Sequence, residues 1–280
     1  MASVNPLRPT KLWWLVALLL LCLSLVIQLP AQWLVQKFAP NNPYLQQISG
    51  NLWQGQANWQ LMTRPNTPLA GTLDWQWQPW HLFTGKLGMK VVVRTGSTNL
   101  QGVVEFNQRL WQAENFNGKI THETLSQLVS WQLPDAPIQV KDVAVTKNQQ
   151  GYQDAKGTLN WAGGTLVYPS GGQTYPIKLP IMVGTIGSDK SPSNSSSSSA
   201  PPSNDNSTAQ AKRLQVALTT PNGERLGDIA IDPDNMVDIA LTQRLLKNMP
   251  NYQGNGADDS TAVSLRQPLR DRKSTRLNSS

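Results

Sequence analysis

Residues 72–77 read TLDWQW and residues 87–94 read LGMKVVVR, two runs in which an apolar side chain returns at every second position. In the first run Leu73, Trp75 and Trp77 alternate with polar residues. A period of two residues places the apolar side chains on one face of an extended strand. The two runs therefore predict antiparallel strands, each with one buried and one solvated face.

Shorter runs of the same kind recur along the chain, separated by Gly, Asn and Pro turns. They cover residues 103–106, 138–145, 158–161, 165–168, 177–186, 214–218, 227–231 and 237–242. Helical spacing is found at residues 122–131, at residues 31–38, which suit either the membrane boundary or packing on the sheet, and near 245–249. The predicted fold class is mainly β: a single N-terminal transmembrane helix, then a bent antiparallel β-sheet domain with one or two short helices.

The transmembrane helix is predicted from residues 12–29, LWWLVALLLLCLSLVIQL, which carry no charge. As a helix this segment is about 27 Å long, close to the hydrocarbon thickness of a bilayer. Arg8 and Lys11 precede it, so the positive-inside rule places residues 1–11 in the cytoplasm and the bulk of the chain across the membrane. A cleaved signal peptide is the main alternative, but the apolar run is long and no small-residue cleavage site follows it.

Composition divides the rest of the chain. Residues 31–187 hold most of the strand patterns and form the predicted β-domain, whereas residues 188–211 are rich in Ser, Pro and Asn. That loop is predicted to be disordered, because it has almost no apolar surface to offset the entropy of ordering it. Residues 212–256 are too few for a core of their own and are predicted to complete the same sheet. Residues 257–280 are predicted to be a disordered tail.

The end of that tail has an unusual sequence. Residues 271–280 read DRKSTRLNSS. We interpret this stretch as the translation of a common sequencing-library adapter and assign it no function.

Motifs that carry chemistry are missing from the sequence. The two histidines, His81 and His122, are far apart and no Cys or His lies at ligand spacing from either, so no metal site is predicted. No nucleophile elbow or phosphate-binding loop occurs. Four carboxylates between residues 228 and 238 could pair as in a glycosidase, but the DPDN sequence at 232–235 favours a turn. We therefore expect no catalytic residue and no cofactor, and the protein is not predicted to be an enzyme.

Charge excludes a further class of function. The chain has 24 Lys and Arg residues against 17 Asp and Glu, a formal net charge of +7. Because no basic run or basic helix face occurs before residue 266, nucleic-acid binding is not predicted.

The stretch ISGNLWQGQA at residues 48–57, followed by GTLDW at residues 71–75 and preceded by the predicted anchor, resembles the type II secretion system protein N (general secretion pathway protein N) family. The resemblance extends over roughly residues 10 to 256. It implies a single-pass inner-membrane protein of Gram-negative bacteria with a periplasmic β-domain, and it implies no enzyme activity. The implied partners are the secretin and the inner-membrane platform proteins of the apparatus that exports folded exoproteins.

Two hypotheses for the β-domain follow, and both use the same candidate surface. Under the first, the sheet docks proteins of the secretion apparatus. Under the second, suggested by the grouping of this family with AsmA-like proteins, the sheet is a lipid-binding or envelope-transport groove. The candidate partner or lipid surface consists of Trp53, Trp59, Trp75 and Trp77. An enzyme whose site is assembled from distant residues remains a third, weaker alternative.

Overall fold

The computed structural model describes residues 11–38, 40, 42–64, 67–79, 87–107, 109–128, 132–170, 172–190, 212–249 and 252–268. Most of the predicted cytoplasmic segment, most of the predicted loop at 188–211 and the adapter-like stretch at 271–280 lie outside these ranges.

Thirteen antiparallel strands form one sheet, in the order β1-β2-β3-β4-β5-β6-β7-β8-β11-β12-β13-β14-β15. The strands are β1 Leu45–Gly50, β2 Gln54–Arg64, β3 Thr67–Gln78, β4 Leu87–Thr95, β5 Thr98–Phe106, β6 Leu110–Ile120, β7 Ile138–Asn148, β8 Gly151–Trp161, β11 Met182–Lys190, β12 Lys212–Thr219, β13 Arg225–Ile231, β14 Met236–Thr242 and β15 Thr261–Pro268. A separate two-stranded sheet contains β9 Gly164–Ser170 and β10 Gln173–Leu179. The predicted mainly β, antiparallel fold with a few short helices is confirmed.

The alternation seen in the sequence gives the sheet two chemically different faces. Trp75 lies opposite Val91 across β3 and β4, and Trp77 lies opposite Met89, so apolar side chains share one face. The polar residue between the two tryptophans, Gln76, points to the other face. Similar apolar pairs continue in the last strands, where Val216 lies opposite Ile229, Ile229 opposite Ile239 and Ile239 opposite Leu265.

Four helices accompany the sheet. They are α1 Lys11–Ile27, α2 Ala31–Phe38, α3 His122–Leu128 and α4 Gln243–Leu246. The helix α2 packs against β1, α3 against β2 and β3, and α4 against β13, β14 and β15. Buried hydroxyls fix α3, since the Oγ1 atoms of Thr98 and Thr124 are 2.7 Å apart.

The predicted membrane span is not confirmed. The helix α1 has 17 residues and ends at Ile27, two residues short of the predicted boundary. Among the residues that the structure describes, no helix combines the length and the apolar character needed to cross a membrane.

Three other predictions need correction. Residues 177–186 are not one strand, because β10 ends at Leu179 and β11 begins at Met182, on either side of Pro180. The predicted loop at 188–211 starts too early, since β11 continues through residue 190. The predicted disorder of residues 257–280 is wrong for Thr261–Pro268, which form β15 against β14. In that strand Val263 and Leu265 alternate with Ala262, Ser264 and Arg266, a weak pattern that nevertheless extends the apolar face.

Candidate functional site

An apolar cavity of about 330 Å³ lies at the N-terminal end of the sheet, between α2 and the first four strands. Its lining consists of Ala31, Val35, Leu45, Ile48, Leu52, Ala57, Leu73, Trp75, Trp77, Met89 and Val91. Every one of these side chains is apolar. Because α2 covers only this part of the sheet, the cavity is where the apolar face and a helix meet without filling the space between them.

The four predicted tryptophans are only partly brought together. Trp75 and Trp77 line the cavity. The ring of Trp53 packs edge-on against Trp77, with 6.1 Å between centroids and 75° between planes. Trp59 lies apart, near Gly71, and its indole Nε1 is buried without a hydrogen-bond partner among the described residues. Three of the four therefore form one cluster.

The turn that carries this cluster explains the ISGNLWQG motif. Gly50 has a φ of 90°, which disfavours any residue with a Cβ. The side-chain oxygen of Asn51 accepts hydrogen bonds from the backbone N–H of Trp53 and of Gln54, at 3.0 and 2.9 Å. A Cβ at Gly55 would overlap the indole of Trp75 and the carbonyl oxygen of Ser49. The motif is thus a tight β1–β2 turn that lets Trp75 lie close to the neighbouring strand.

The same turn holds the junction between α1 and α2. The backbone N–H of Leu52 donates to the carbonyl oxygen of Leu29 at 3.1 Å, and Pro30 forms an isolated bridge with Asn51. The helix α1 therefore leaves the sheet beside the wall of the cavity, since Leu52 is part of that wall.

A polar basin of about 460 Å³ lies on the opposite side of the same strands. Its lining consists of Ser49, Gln54, Gly55, Gln56, Asp74, Trp75, Gln76, Lys90 and Val92. One carboxylate oxygen of Asp74 is 2.6 Å from Nη1 of Arg94. Trp75 lines this basin as well as the apolar cavity.

Most ion pairs among the described residues lie at the other end of the sheet, around α4. Arg244 is paired with Glu224 at 2.9 Å and with Asp259 at 3.2 Å, and Lys247 is paired with Asp258. The hydrogen bond to Asp259 raises the pKa of Arg244 above its ordinary value. The hydrogen bond and charge of Lys247 lower the pKa of the Asp258 carboxyl. These ion pairs connect α4 to the β12–β13 turn and to the segment before β15.

The carboxylates considered as a glycosidase pair have structural partners. The 232–235 segment forms the β13–β14 turn, in which the N–H of Asn235 donates to the carbonyl oxygen of Asp232 at 3.0 Å. Asp232 and Asp238 both face Arg266, at 2.8 and 3.6 Å. Asp228 is paired with Arg225 at 2.5 Å, and Asp234 accepts a hydrogen bond from the N–H of Met236 at 3.2 Å. The carboxylates therefore serve the turn at 232–235 and ion pairs with Arg225 and Arg266.

Histidine and carboxylate positions offer no further site in the described ranges. His122 begins α3, with its Nδ1 3.5 Å from Oδ1 of Asp135, while His81 lies outside those ranges. In the part of the chain that the structure describes, no group of three or more His, Cys, Asp or Glu side chains is placed to bind a metal ion.

The helix at residues 31–38 was predicted, with packing on the sheet as one of two options, but its side chains were not included in the candidate surface. Ala31 and Val35 are four residues apart, the spacing that puts two side chains on one face of a helix. Leu45 and Ile48 belong to a strand interrupted by Gln47, whose φ of 47° breaks the alternation. A search for the i, i+4 pair next to the Trp-rich strands would have found the helical contribution.

Comparison with known families gives a match over half of the chain. Residues 42–182 match the model of the family described as type II secretion system (T2SS), protein N. This range contains β1 to β10 and reaches the first residue of β11, so it includes the cavity floor and the turn at residues 50–55. No significant match was found among curated proteins or among solved structures. Because the family model matches half of the chain, the chain belongs to the type II secretion system protein N family.

Proposed function

We propose that this protein is an inner-membrane-anchored component of the type II secretion system that contributes to export of folded exoproteins through protein–protein contacts, without catalysis of its own. The observation that carries this proposal is the family match over residues 42–182. The partners we propose are the secretin and the inner-membrane platform proteins. The contact surface we propose is the region around the cavity, where Trp53 and Trp77 are packed together at an incompletely covered apolar face.

Anchoring by the N-terminal segment is part of this proposal. Trp13, Leu15 and Leu19 in α1 are 69%, 63% and 68% exposed. An apolar surface of this kind is stable only against lipid or another protein. We propose that residues 12–29 lie in the inner membrane, with residues 1–11 in the cytoplasm and the sheet in the periplasm.

Fractionation tests the anchor. The full chain should stay with the membrane pellet after alkaline carbonate extraction, and replacement of Leu19 and Leu20 by Arg should release it. The matched control, Leu265→Arg on an exposed strand, should leave the chain in the pellet. Release of the unmodified chain by carbonate would contradict the proposal.

Crosslinking in the cell envelope tests the partner contact. The full chain should retrieve the secretin or a platform protein, and Trp77→Ser should reduce that yield because it removes the centre of the Trp53–Trp77 cluster. Trp111→Ser is the control, since Trp111 is 39% exposed on β6 and lies outside the cavity lining. Failure to retrieve any secretion component would exclude the partner role.

Lipid binding is a second candidate function, favoured by the purely apolar lining of the cavity. We propose, as this alternative, an AsmA-like groove that takes the acyl chain of a lipid. Mass spectrometry of the full chain, purified in a detergent that is then exchanged for amphipol, should detect co-purified phospholipid. Val91→Gln, which places an amide in the cavity, should remove it, whereas Val92→Gln on the opposite face should not. Equal lipid content in the two variants would exclude the cavity as the lipid site.

A further inference from the structure

The polar basin is built from two rows of side chains that cross adjacent strands in register. Gln54 lies opposite Gln76, and Gln76 lies opposite Lys90. In the next row Gln56 lies opposite Asp74. Neighbouring strands are about 4.8 Å apart, and residues two apart along a strand about 6.7 Å apart, so the rows form a regular grid on a rigid sheet.

The amides of the basin differ from other amides on the same strands. Gln46 donates to Gln60 at 3.2 Å, so these two side chains satisfy each other. The side chains of Gln54, Gln56 and Gln76 have no hydrogen-bond partner among the described residues. All three are exposed, so their donors and acceptors are available to a ligand.

Charge in the basin is modest. The carboxylate of Asp74 is held by Arg94 through one oxygen, which leaves the other oxygen as an acceptor in a fixed position. Lys90 makes no ion pair within the described ranges. The basin therefore offers mainly neutral donors and acceptors, with one free cation at its edge.

We propose that this basin binds an uncharged, extended, β-linked glycan. Each glutamine amide presents two N–H donors and one carbonyl acceptor, and a sugar hydroxyl is both donor and acceptor, so the two sets are complementary. A strand spacing of about 4.8 Å is close to the advance of one sugar residue in an extended β-linked chain.

Other ligand classes fit the basin less well. An extended peptide is usually captured by the free backbone groups of an edge strand. Here β2 and β3 are paired on both sides, so their backbone groups are already used. An anionic ligand would require several convergent cations, and Lys90 is the only unpaired one in the basin lining. The glycan proposal is independent of the proposed partner contact, which uses the opposite face.

Calorimetric titration of the full chain tests the proposal, with the chain held in a zwitterionic detergent that carries no sugar headgroup. The probe is tetra-N-acetylchitotetraose, an extended β-linked glycan, and maltotetraose serves as the α-linked, coiled comparison. We expect the first to bind and the second to bind at least about tenfold more weakly. Replacement of Gln54 and Gln76 by Ala should weaken chitotetraose binding by about tenfold, because two hydrogen-bonding groups are lost.

The matched control replaces Gln46 and Gln60 by Ala, two amides on the same face that are hydrogen-bonded to each other. This variant should bind within about twofold of the unmodified chain. If the Gln54/Gln76 variant does not fold, replacement of both residues by Glu keeps the side-chain length and removes the amide donors. Absence of chitotetraose binding, equal losses in the two double variants, or displacement of the glycan by an extended alanine peptide would each overturn the proposal.

Discussion

The two ends of the sheet are closed by different means. At the first end α2 packs against β1, and an apolar cavity of about 330 Å³ remains between α2 and the strands β1 to β4. At the last end the short helix α4 packs on β13 to β15, and there Leu226 is 1% and Thr242 0% exposed. The first end, called the open end below, therefore contains an unfilled apolar cavity. The last end, called the filled end, has a closely packed core. The family match ends at residue 182, so it includes the first end and not the last one.

The largest expected effect on stability comes from a substitution in the packed core of the filled end. Leu226→Ala should lower the free energy of unfolding by about 2–5 kcal/mol, because it leaves a cavity around a fully buried side chain. Urea titration of the full chain in detergent measures the loss. Leu265→Ala, at a position that is 49% exposed, is the control and should change stability by less than about 0.5 kcal/mol. Similar losses for both variants would show that the last end is not packed more tightly than its edge.

Overpacking tests the open end. Gly55→Ala should cost about 1–3 kcal/mol, because the added methyl group overlaps the Trp75 ring and the Ser49 carbonyl oxygen. It should also shift the tryptophan fluorescence as Trp75 is displaced from the cavity. Gly187→Ala is matched to it, since a Cβ at that strand position meets nothing within 4 Å. An unchanged spectrum for Gly55→Ala would contradict the close fit of Trp75.

A smaller effect is expected from the ion pair at the open end. Arg94 and Asp74 have side chains that are 53% and 30% exposed, so solvent screens their attraction. A double-mutant cycle with Asp74→Asn and Arg94→Gln should give a coupling energy of at most about 1 kcal/mol. A coupling well above that value would mean that this end also depends on charge.

The smallest expected effect is the pH dependence of the stability that the ion pairs around α4 contribute at the last end. The pKa of Asp258 is lowered in the folded chain, so its stabilising contribution is present above the ordinary value of 3.8 and is lost as the pH falls through the lower, folded-state pKa. Asp258→Asn should therefore be slightly less stable than the unmodified chain at neutral pH and equal to it in strong acid. Asp154→Asn, at an exposed position without a partner in the described structure, should show no such difference. A difference between Asp258→Asn and the unmodified chain that persists in strong acid would contradict this origin.

Sequence patterns predicted the sheet best where one face is apolar and the other polar. Such alternation located β3, β4 and β7 because burial of one face dominates there. The strand β6 was not predicted, since bulges near Asn115 and Gly118 interrupt its alternation. The membrane span was predicted from an uncharged run of eighteen residues and the positive charges before it, and the structure leaves it unconfirmed.

The candidate surface was harder to predict than the strands. Trp75 and Trp77 share a face by simple alternation, and Trp53 joins them because the turn at Gly50 and Asn51 reverses the chain. Trp59 was grouped with them by residue type, but its distance along β2 separates it from the cluster. The helix α2 was predicted from its spacing, but whether it packs on the sheet or lies at the membrane boundary depends on tertiary packing, which the spacing does not determine.

The order of strands in the sheet also bears on how the chain folds. In the large sheet, each strand from β2 to β8 and from β12 to β15 pairs with the strand that precedes it in the chain. The exception is β11, which pairs with β8 because β9 and β10 form their own hairpin. Contacts of short sequence separation form with a small loss of loop entropy and favour fast folding. A chain delivered from its N-terminus could thus add each new strand to a finished edge, so that only the most recent strand is exposed at any time. Completion of the sheet would then require no rearrangement of strands already in place.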